Sequence, residues 1–273
     1  MKKFIFLCIT CLCLPIMVQA YILPVNQVFD LIADHFGNEE TLSVTHKFLL
    51  HDQTMTTSSL ELMETIHYRF PNYLNSELNL GDKRKLHVIS PKGTITILDD
   101  KILGSPQTLF DRYKELLVYR SKSLFKQRLV MANIRTDIVS LGKFQKKPVW
   151  VIGAQYLNEN VPQLWVDNET FQPVRWIIKP YYREEESLEI QYLDWSPIGE
   201  SSSYPKRILY YRNHELIVEI TMFNYELEPD LSNDLFDISF FKRIYQTSPQ
   251  SSYEDPDMNE VQKTIQNFRE TFQ

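Results

Sequence analysis

Cysteine is confined to the first 13 of 273 residues, at Cys8, Cys11 and Cys13. Disulfides, thiolate metal sites and cysteine nucleophiles are thereby excluded from the rest of the chain. Glycine is scarce as well, at seven residues, and neither a glycine-rich phosphate loop nor a Gly-x-Ser-x-Gly nucleophile elbow occurs. The six histidines, His35, His46, His51, His67, His87 and His214, show no His-Glu-x-x-His or other metal spacing. His46 and His67 could meet across adjacent strands, with Glu64 as a third zinc ligand, but a solvated or hydrogen-bonded pair is the favoured reading. Base is not in excess: 29 Lys and Arg stand against 35 Asp and Glu. Nucleic acid, which needs a basic face, is therefore not an expected partner. The paired carboxylates Asp99-Asp100 and Glu184-Glu185-Glu186 fall at expected turns, where solvation accounts for them. The expectation is a non-enzyme with no catalytic residue, no cofactor and no metal. After residue 20 no apolar run reaches the length of a membrane helix.

What is present begins with an export signal. Lys2 and Lys3 form a basic n-region, residues 4–17 an apolar run of about 14 residues, and Val18-Gln19-Ala20 a small-residue cleavage site. Pro15 near the end of the run speaks against an uncleaved anchor. Leu7, Thr10 and Leu12 precede the three cysteines, so none of these follows the small residue of a lipoprotein signal. Cleavage after Ala20 removes every cysteine and two lysines, which takes the net charge from −6 to −8. The mature protein is expected in the periplasm, held by its core alone.

Periodicity organises the remainder. Val25, Val28, Phe29, Ile32 and Phe36 predict a helix over 24–36, with Pro24 at its start and Gly37 as its cap. Alternation predicts strands over 41–51, 60–70, 85–90 and 94–98. His46 interrupts the apolar face of the first, and Glu64 that of the second. The period then changes, and 108–119 and 123–134 read as helices, the first striped by Leu109, Phe110, Tyr113, Leu116 and Leu117. Seven strands follow, over 137–144, 148–156, 163–167, 173–179, 188–192, 204–212 and 216–225. Short connections make them an antiparallel meander. Residues 248–256 read as a polar linker and the last stretch as an amphipathic helix with Met258, Val261, Ile265, Phe268 and Phe272 on one face. The expected organisation is a signal peptide over 1–20, one domain over 21–247, and the linker with its helix over 248–273.

Several strands are apolar on both faces, as at Val149-Trp150-Val151 and Leu164-Trp165-Val166. A sheet with one face in water alternates more cleanly, so both faces are expected to be covered.

Residues 164–176 carry the most specific local signal. Strand formers flank Asp167-Asn168-Glu169-Thr170, in which the Asp side chain can accept from backbone amides ahead of it and close a tight hairpin. Aromatic strand, Asp-x-x-Thr turn, Pro, aliphatic, basic residue is a pattern that resembles the bacterial lipoprotein-localisation carriers, the LolA/LolB-like superfamily shared by MucB/RseB-like periplasmic regulators. Here the pattern is Trp165, Asp167, Thr170, Pro173, Val174 and Arg175. The run Tyr225-Glu226-Leu227-Glu228-Pro229-Asp230-Leu231 leading to Leu235-Phe236-Asp237-Ile238 is a second similarity, and the order of elements is a third. The family's turn often carries Gly after Thr, where this chain has Phe171.

The resemblance implies an α+β fold: an unclosed, strongly curved antiparallel half-barrel with helices covering its concave face. It implies a carrier or chaperone that takes acyl chains of lipoproteins or lipids into an apolar cavity for delivery toward the outer membrane. Expected partners are an acylated lipoprotein or lipid, with an inner-membrane donor or outer-membrane acceptor protein. The candidate cavity or lid residues are Phe48, Ile66, Tyr68, Leu109, Phe110, Tyr113, Leu116, Leu117, Trp150, Trp165 and Trp176, with the mid-chain helices as the candidate lid. Two alternatives stand beside this reading: an envelope-stress sensor or scaffold on the same fold, and a secreted β-sandwich binding module.

Overall fold

The computed structural model describes residues 23–51, 60–80, 83–104, 111–179 and 187–247. The expected signal, linker and final helix lie outside the described residues. The chain opens with helix α1 (Val25–Asp34), then runs through β1 (Thr41–Leu50), β2 (Leu60–Arg69), β3 (Tyr73–Leu80), β4 (Lys83–Ser90), β5 (Gly93–Leu98) and β6 (Lys101–Ile102). Helices α2 (Arg112–Val118) and α3 (Lys122–Met131) interrupt the strands. Strands β7 (Val139–Phe144), β8 (Lys147–Ile152), β9 (Gln163–Asp167), β10 (Pro173–Ile178), β11 (Leu188–Pro197), β12 (Ser203–Arg212) and β13 (Glu215–Leu227) follow. A 3-10 turn (Asn233–Phe236), helix α4 (Ile238–Ile244) and the short β14 (Gln246–Thr247) complete the described chain.

All strands among the described residues join one open sheet in the order β14-β6-β5-β4-β3-β2-β1-β13-β12-β11-β10-β9-β8-β7. Two antiparallel meanders are thus joined where β1 pairs with β13, and β14 alone adds in parallel, against β6. The sheet is curved and does not close, so the expected α+β half-barrel is the fold observed.

Few glycines are needed at the turns because other residues take left-handed backbone there. Asp99-Asp100, Gln145-Lys146 and Asn213-His214 all have positive φ at both positions, the geometry of a tight two-residue hairpin connection whose twist matches that of the strands.

The inner face carries the main core. Leu42, Val44 and Phe48 of β1, Ile66 and Tyr68 of β2, Ile152 of β8, Ile190 and Tyr192 of β11, and Tyr210 of β12 pack there against Val28, Phe29 and Ile32 of α1, Leu116 and Leu117 of α2, and Phe125 and Leu129 of α3. Among the described residues the outer face is covered in two places, which explains the strands that are apolar on both sides. Leu86, Val88, Ile95 and Ile97 lie under Ile238 and Phe241 of α4. Val149, Val151 and Trp165 pack with Ala154 and Val161 of the β8–β9 connection.

Several elements are additional to the sequence expectation: β3, α4, the 3-10 turn and the two-residue strands β6 and β14. Strand β3, Tyr-Leu-Asn-Ser-Glu-Leu-Asn-Leu, is too polar to stand out by alternation. Its Ser76 faces a buried polar cluster and its Asn75 donates to the Leu235 carbonyl at 2.6 Å. Helix α4, to which the sequence reading assigned no element, covers the outer face, with the Asp237 carboxylate accepting from Ser239 N at 2.9 Å as its cap.

Candidate functional site

The Asp167 hairpin forms as its residues dictate. Asp167 Oδ1 accepts from the amides of Glu169 and Thr170, both at 2.9 Å, and Pro173 opposite Val166 begins β10. Phe171 stands in left-handed backbone at φ +54°, which is the reason glycine suits this position. Its ring lies 5.4 Å from that of His35 at the end of α1, so the hairpin reaches the rim of the concave face.

Eight of the candidate residues meet in the concave core: Phe48, Ile66, Tyr68, Tyr113, Leu116, Leu117, Trp150 and Trp176. Trp165 points to the outer face, because Leu164 and Val166 on either side take the inner one. There its indole donates to Gln163 Oε1 at 2.8 Å and lies 4.4 Å from the Arg175 guanidinium. Leu109 and Phe110 lie outside the described residues.

The concave face is not wholly apolar. Glu64 on β2, one of the two interruptions visible in the sequence, sits under α2 and is paired with Lys114. Its carboxylate also accepts from Tyr113 Oη and from Ser76 Oγ, each at 2.5 Å. Lys114 donates to Asp111 at 2.8 Å, and Lys85 of β4 donates to the other Asp111 oxygen at 2.7 Å. His46, the second interruption, lies 2.8 Å from the Tyr113 hydroxyl. The phenol proton is committed to Glu64, so His46 Nδ1 is the donor to it. His87 bonds Thr96 at 2.7 Å and lies 3.5 Å from Asp111.

Burial favours neutral imidazoles: it lowers the pKa of His46 despite Glu64, and brings that of His87 down to about 4. Burial also opposes the charge on Glu64, but Lys114 and the hydrogen bonds outweigh it and hold the carboxyl down at about 2. Asp111 is likewise held well below its ordinary range, against burial, by His87, Lys114 and Lys85. Two ammonium groups and two carboxylates thus balance beneath one short helix. Sequence reasoning singled out Glu64 and His46 but not Lys85, His87, Asp111 or Lys114. His67, expected near His46, is on the opposite face, where it lies 2.7 Å from Ser43 Oγ. The described residues contain no group of three His, Cys, Asp or Glu placed to hold a metal ion.

These contacts fasten α2 to the sheet. Tyr210 Oη accepts from Tyr113 N at 2.9 Å, and Tyr192 Oη donates to the Tyr113 carbonyl at 3.0 Å. A second buried pair, Glu115 with Arg128, ties α2 to α3. Helix α1 is attached differently. Phe29 and Phe36 meet Phe125 of α3 edge-on, and the exposed pair Asp30–Lys122 adds little.

Between α1 and α2 lies a cleft of about 40 Å³. Ile32, His35 and Phe36 form one wall, Leu116, Leu117 and Arg120 the other, and Phe171 to Pro173 with Trp195, Ser203 and Tyr204 close the end. About 10–15 Å³ of such space holds one water, so the cleft has room for a few waters and must widen to take an acyl chain.

No family model matches the sequence, and no curated protein matches it. Solved structures do. An outer-membrane lipoprotein-sorting protein domain from Vibrio parahaemolyticus aligns with a TM-score of 0.52 at 10% identity, over 80% of this chain and 97% of that one. A DUF1329 family protein from Desulfovibrio piger aligns at 0.50 and 11% identity, over 80% and 99%. A LolA superfamily protein from Nitrosomonas europaea aligns at 0.46 and 11%, over 80% and 100%. At such identities likeness speaks for the fold alone: the chain shares an open half-barrel fold with the Vibrio domain, the fold that the resemblance of residues 164–176 implied.

Proposed function

We propose that the protein is a periplasmic carrier that shelters acyl chains of lipoproteins or lipids between its helices and the concave face of its sheet. The observation that carries this reading is the cleft between α1 and α2, whose apolar walls continue into the largest apolar core of the described residues. Burying a methylene contributes about 0.8 kcal/mol, so a twelve-carbon chain gains roughly 9 kcal/mol before the cost of opening. At about 40 Å³ the cleft must widen to take such a chain. Helix α1 is the lid in this proposal, in place of the mid-chain helices that the sequence suggested. Helices α2 and α3 are held by buried ion pairs, whereas the contacts of α1 with α3 are aromatic packing and exposed polar pairs.

Export by the signal at residues 1–20 and delivery toward an outer-membrane acceptor belong to the same proposal. Native mass spectrometry of protein recovered from a bacterial periplasm tests it. Acylated species are expected on the protein, together with binding of a neutral acyl probe such as methyl dodecanoate. Protein that carries no acylated species and ignores the probe would sink the carrier reading.

A further inference from the structure

Arg120, in the α2-side wall of the cleft, is in an unusual state. Its guanidinium carbon lies 3.4 Å from the centre of the Phe70 ring, and Phe70 stacks on Tyr68 at an interplanar angle of 10°. This column fixes the guanidinium plane. Its side chain is 9% exposed, yet among the described residues one hydrogen bond engages its five N–H donors, from Nη1 to Ser202 Oγ at 3.2 Å. Its nearest carboxylate, Glu39, is 3.7 Å away, too far for a hydrogen bond, and Glu39 Oε2 is itself a buried acceptor with no hydrogen-bond partner. Arg120 and Glu39 therefore form a loose, largely enclosed ion pair: Glu39 Oε1 accepts from Ser201 Oγ at 3.3 Å, its Oε2 accepts from nothing, and most of the Arg120 N–H donors meet no protein acceptor among the described residues.

From this geometry we infer that the cleft takes a single-chain amphiphile with a carboxylate head, a free fatty acid, whose head is bound by Arg120 in place of Glu39. The inference rests on the carrier reading and narrows its ligand. Acyl groups of a lipoprotein are esterified or amidated and present no anion beside the chain. The cleft has room for a few waters and so for a carboxylate head, and the apolar side chains of Ile32, Leu116 and Leu117 on its walls lead inward for the chain. Planar guanidinium and carboxylate groups pair through two parallel N–H···O bonds, which the unused donors of Arg120 can supply.

Calorimetric titration of the full chain at pH 8 with dodecanoate and with methyl dodecanoate tests this. Dodecanoate is expected to bind about tenfold more tightly than the ester. Arg120→Gln is expected to abolish that preference while the ester binds unchanged, which also shows that the variant is folded. Glu39→Gln, which removes the competing carboxylate, is expected to tighten dodecanoate severalfold and leave the ester alone. Equal affinity of the native protein for the two ligands overturns the inference and leaves the carrier reading standing, as does a preference that survives Arg120→Gln. Binding of neither ligand removes both.

Discussion

Phe171 shows how one residue can serve packing against its own backbone preference. Left-handed backbone costs a non-glycine residue roughly 1–2 kcal/mol, and Phe171 adopts it at φ +54° while its ring closes the end of the cleft. Strain held at such a rim accords with a position kept for its side chain. Phe171→Ala and Phe171→Gly both lose the ring, but glycine alone is released from the strain. Urea denaturation is expected to find the glycine variant more stable than the alanine variant by about 1 kcal/mol, and equal stabilities would mean that the turn is not strained. Gly37 makes the opposite case. Its φ is +79°, and a Cβ there would lie 1.9 Å from Ser202 Oγ, the hydroxyl that accepts from the Arg120 side chain.

His87 sets a pH dependence at the same scale. Its native pKa of about 4 lies below the ordinary 6.5 because burial penalises the cation. Asp111, Lys85, Lys114 and Glu64 are the charged groups around it, and their opposing signs leave burial dominant. Between pH 6.5 and 4 the unfolded chain binds a proton that the folded chain refuses, so stability is full above that window and falls as pH drops through it. A shift from 6.5 to about 4 corresponds to on the order of 3 kcal/mol. His87→Gln is expected to flatten the stability profile between pH 6.5 and 4, as read by chemical denaturation at several pH values. A profile that keeps its full slope would place the acid sensitivity elsewhere, with His46 the next group to examine.

At the scale of elements, α2 explains both what the sequence disclosed and what it concealed. The inward residues of β1 and β2 follow from alternation, and the two breaks in it, His46 and Glu64, mark where a polar partner must arrive. The partners themselves, Asp111 and Lys114, were hidden. A stripe argument assumes one buried face, and Tyr113 to Val118 of α2 are buried on every side. Lys114 therefore reads as a solvated residue and is in truth enclosed. Lys85 is hidden for a different reason: β3, the strand that lies between it and Glu64 in the sheet, is itself too polar to be recognised. Breaking a buried ion pair strands its partner and typically costs 3–5 kcal/mol. Lys114→Met is expected to cost that much in thermal or chemical denaturation, since it leaves Glu64 without its ammonium. Adding Glu64→Gln is expected to recover most of the loss, because Lys85 and Asp111 still balance each other. A double variant no better than the single one would mean that Lys114 acts by packing rather than by charge.

For the molecule as a whole, the question is which part can open without unfolding the rest. The sheet and α2 are joined by the buried ion pairs and tyrosine hydrogen bonds, and α3 is joined to α2 by Arg128 and Glu115. Helix α1 places three buried apolar residues, Val28, Phe29 and Ile32, over the core, and its side-chain polar contacts with α3 are at the surface. Local opening follows the weakest set of contacts. The amides of α1 are therefore expected to exchange with deuterium at a lower opening free energy than those of α2, α3 and the central strands β1 and β13, and an acyl ligand is expected to change protection first in α1 and at Phe171 and Gln172. The ordering is a stringent check on the lid, because it depends on contacts rather than on position in the chain. If α2 exchanged as readily as α1, the buried charges would not be restraining it, and the entry route would have to be sought between α2 and the sheet. If α1 alone opened, Lys114→Met should speed exchange in α2 without altering α1. Such an outcome would separate the fixed floor of the half-barrel from its moving cover.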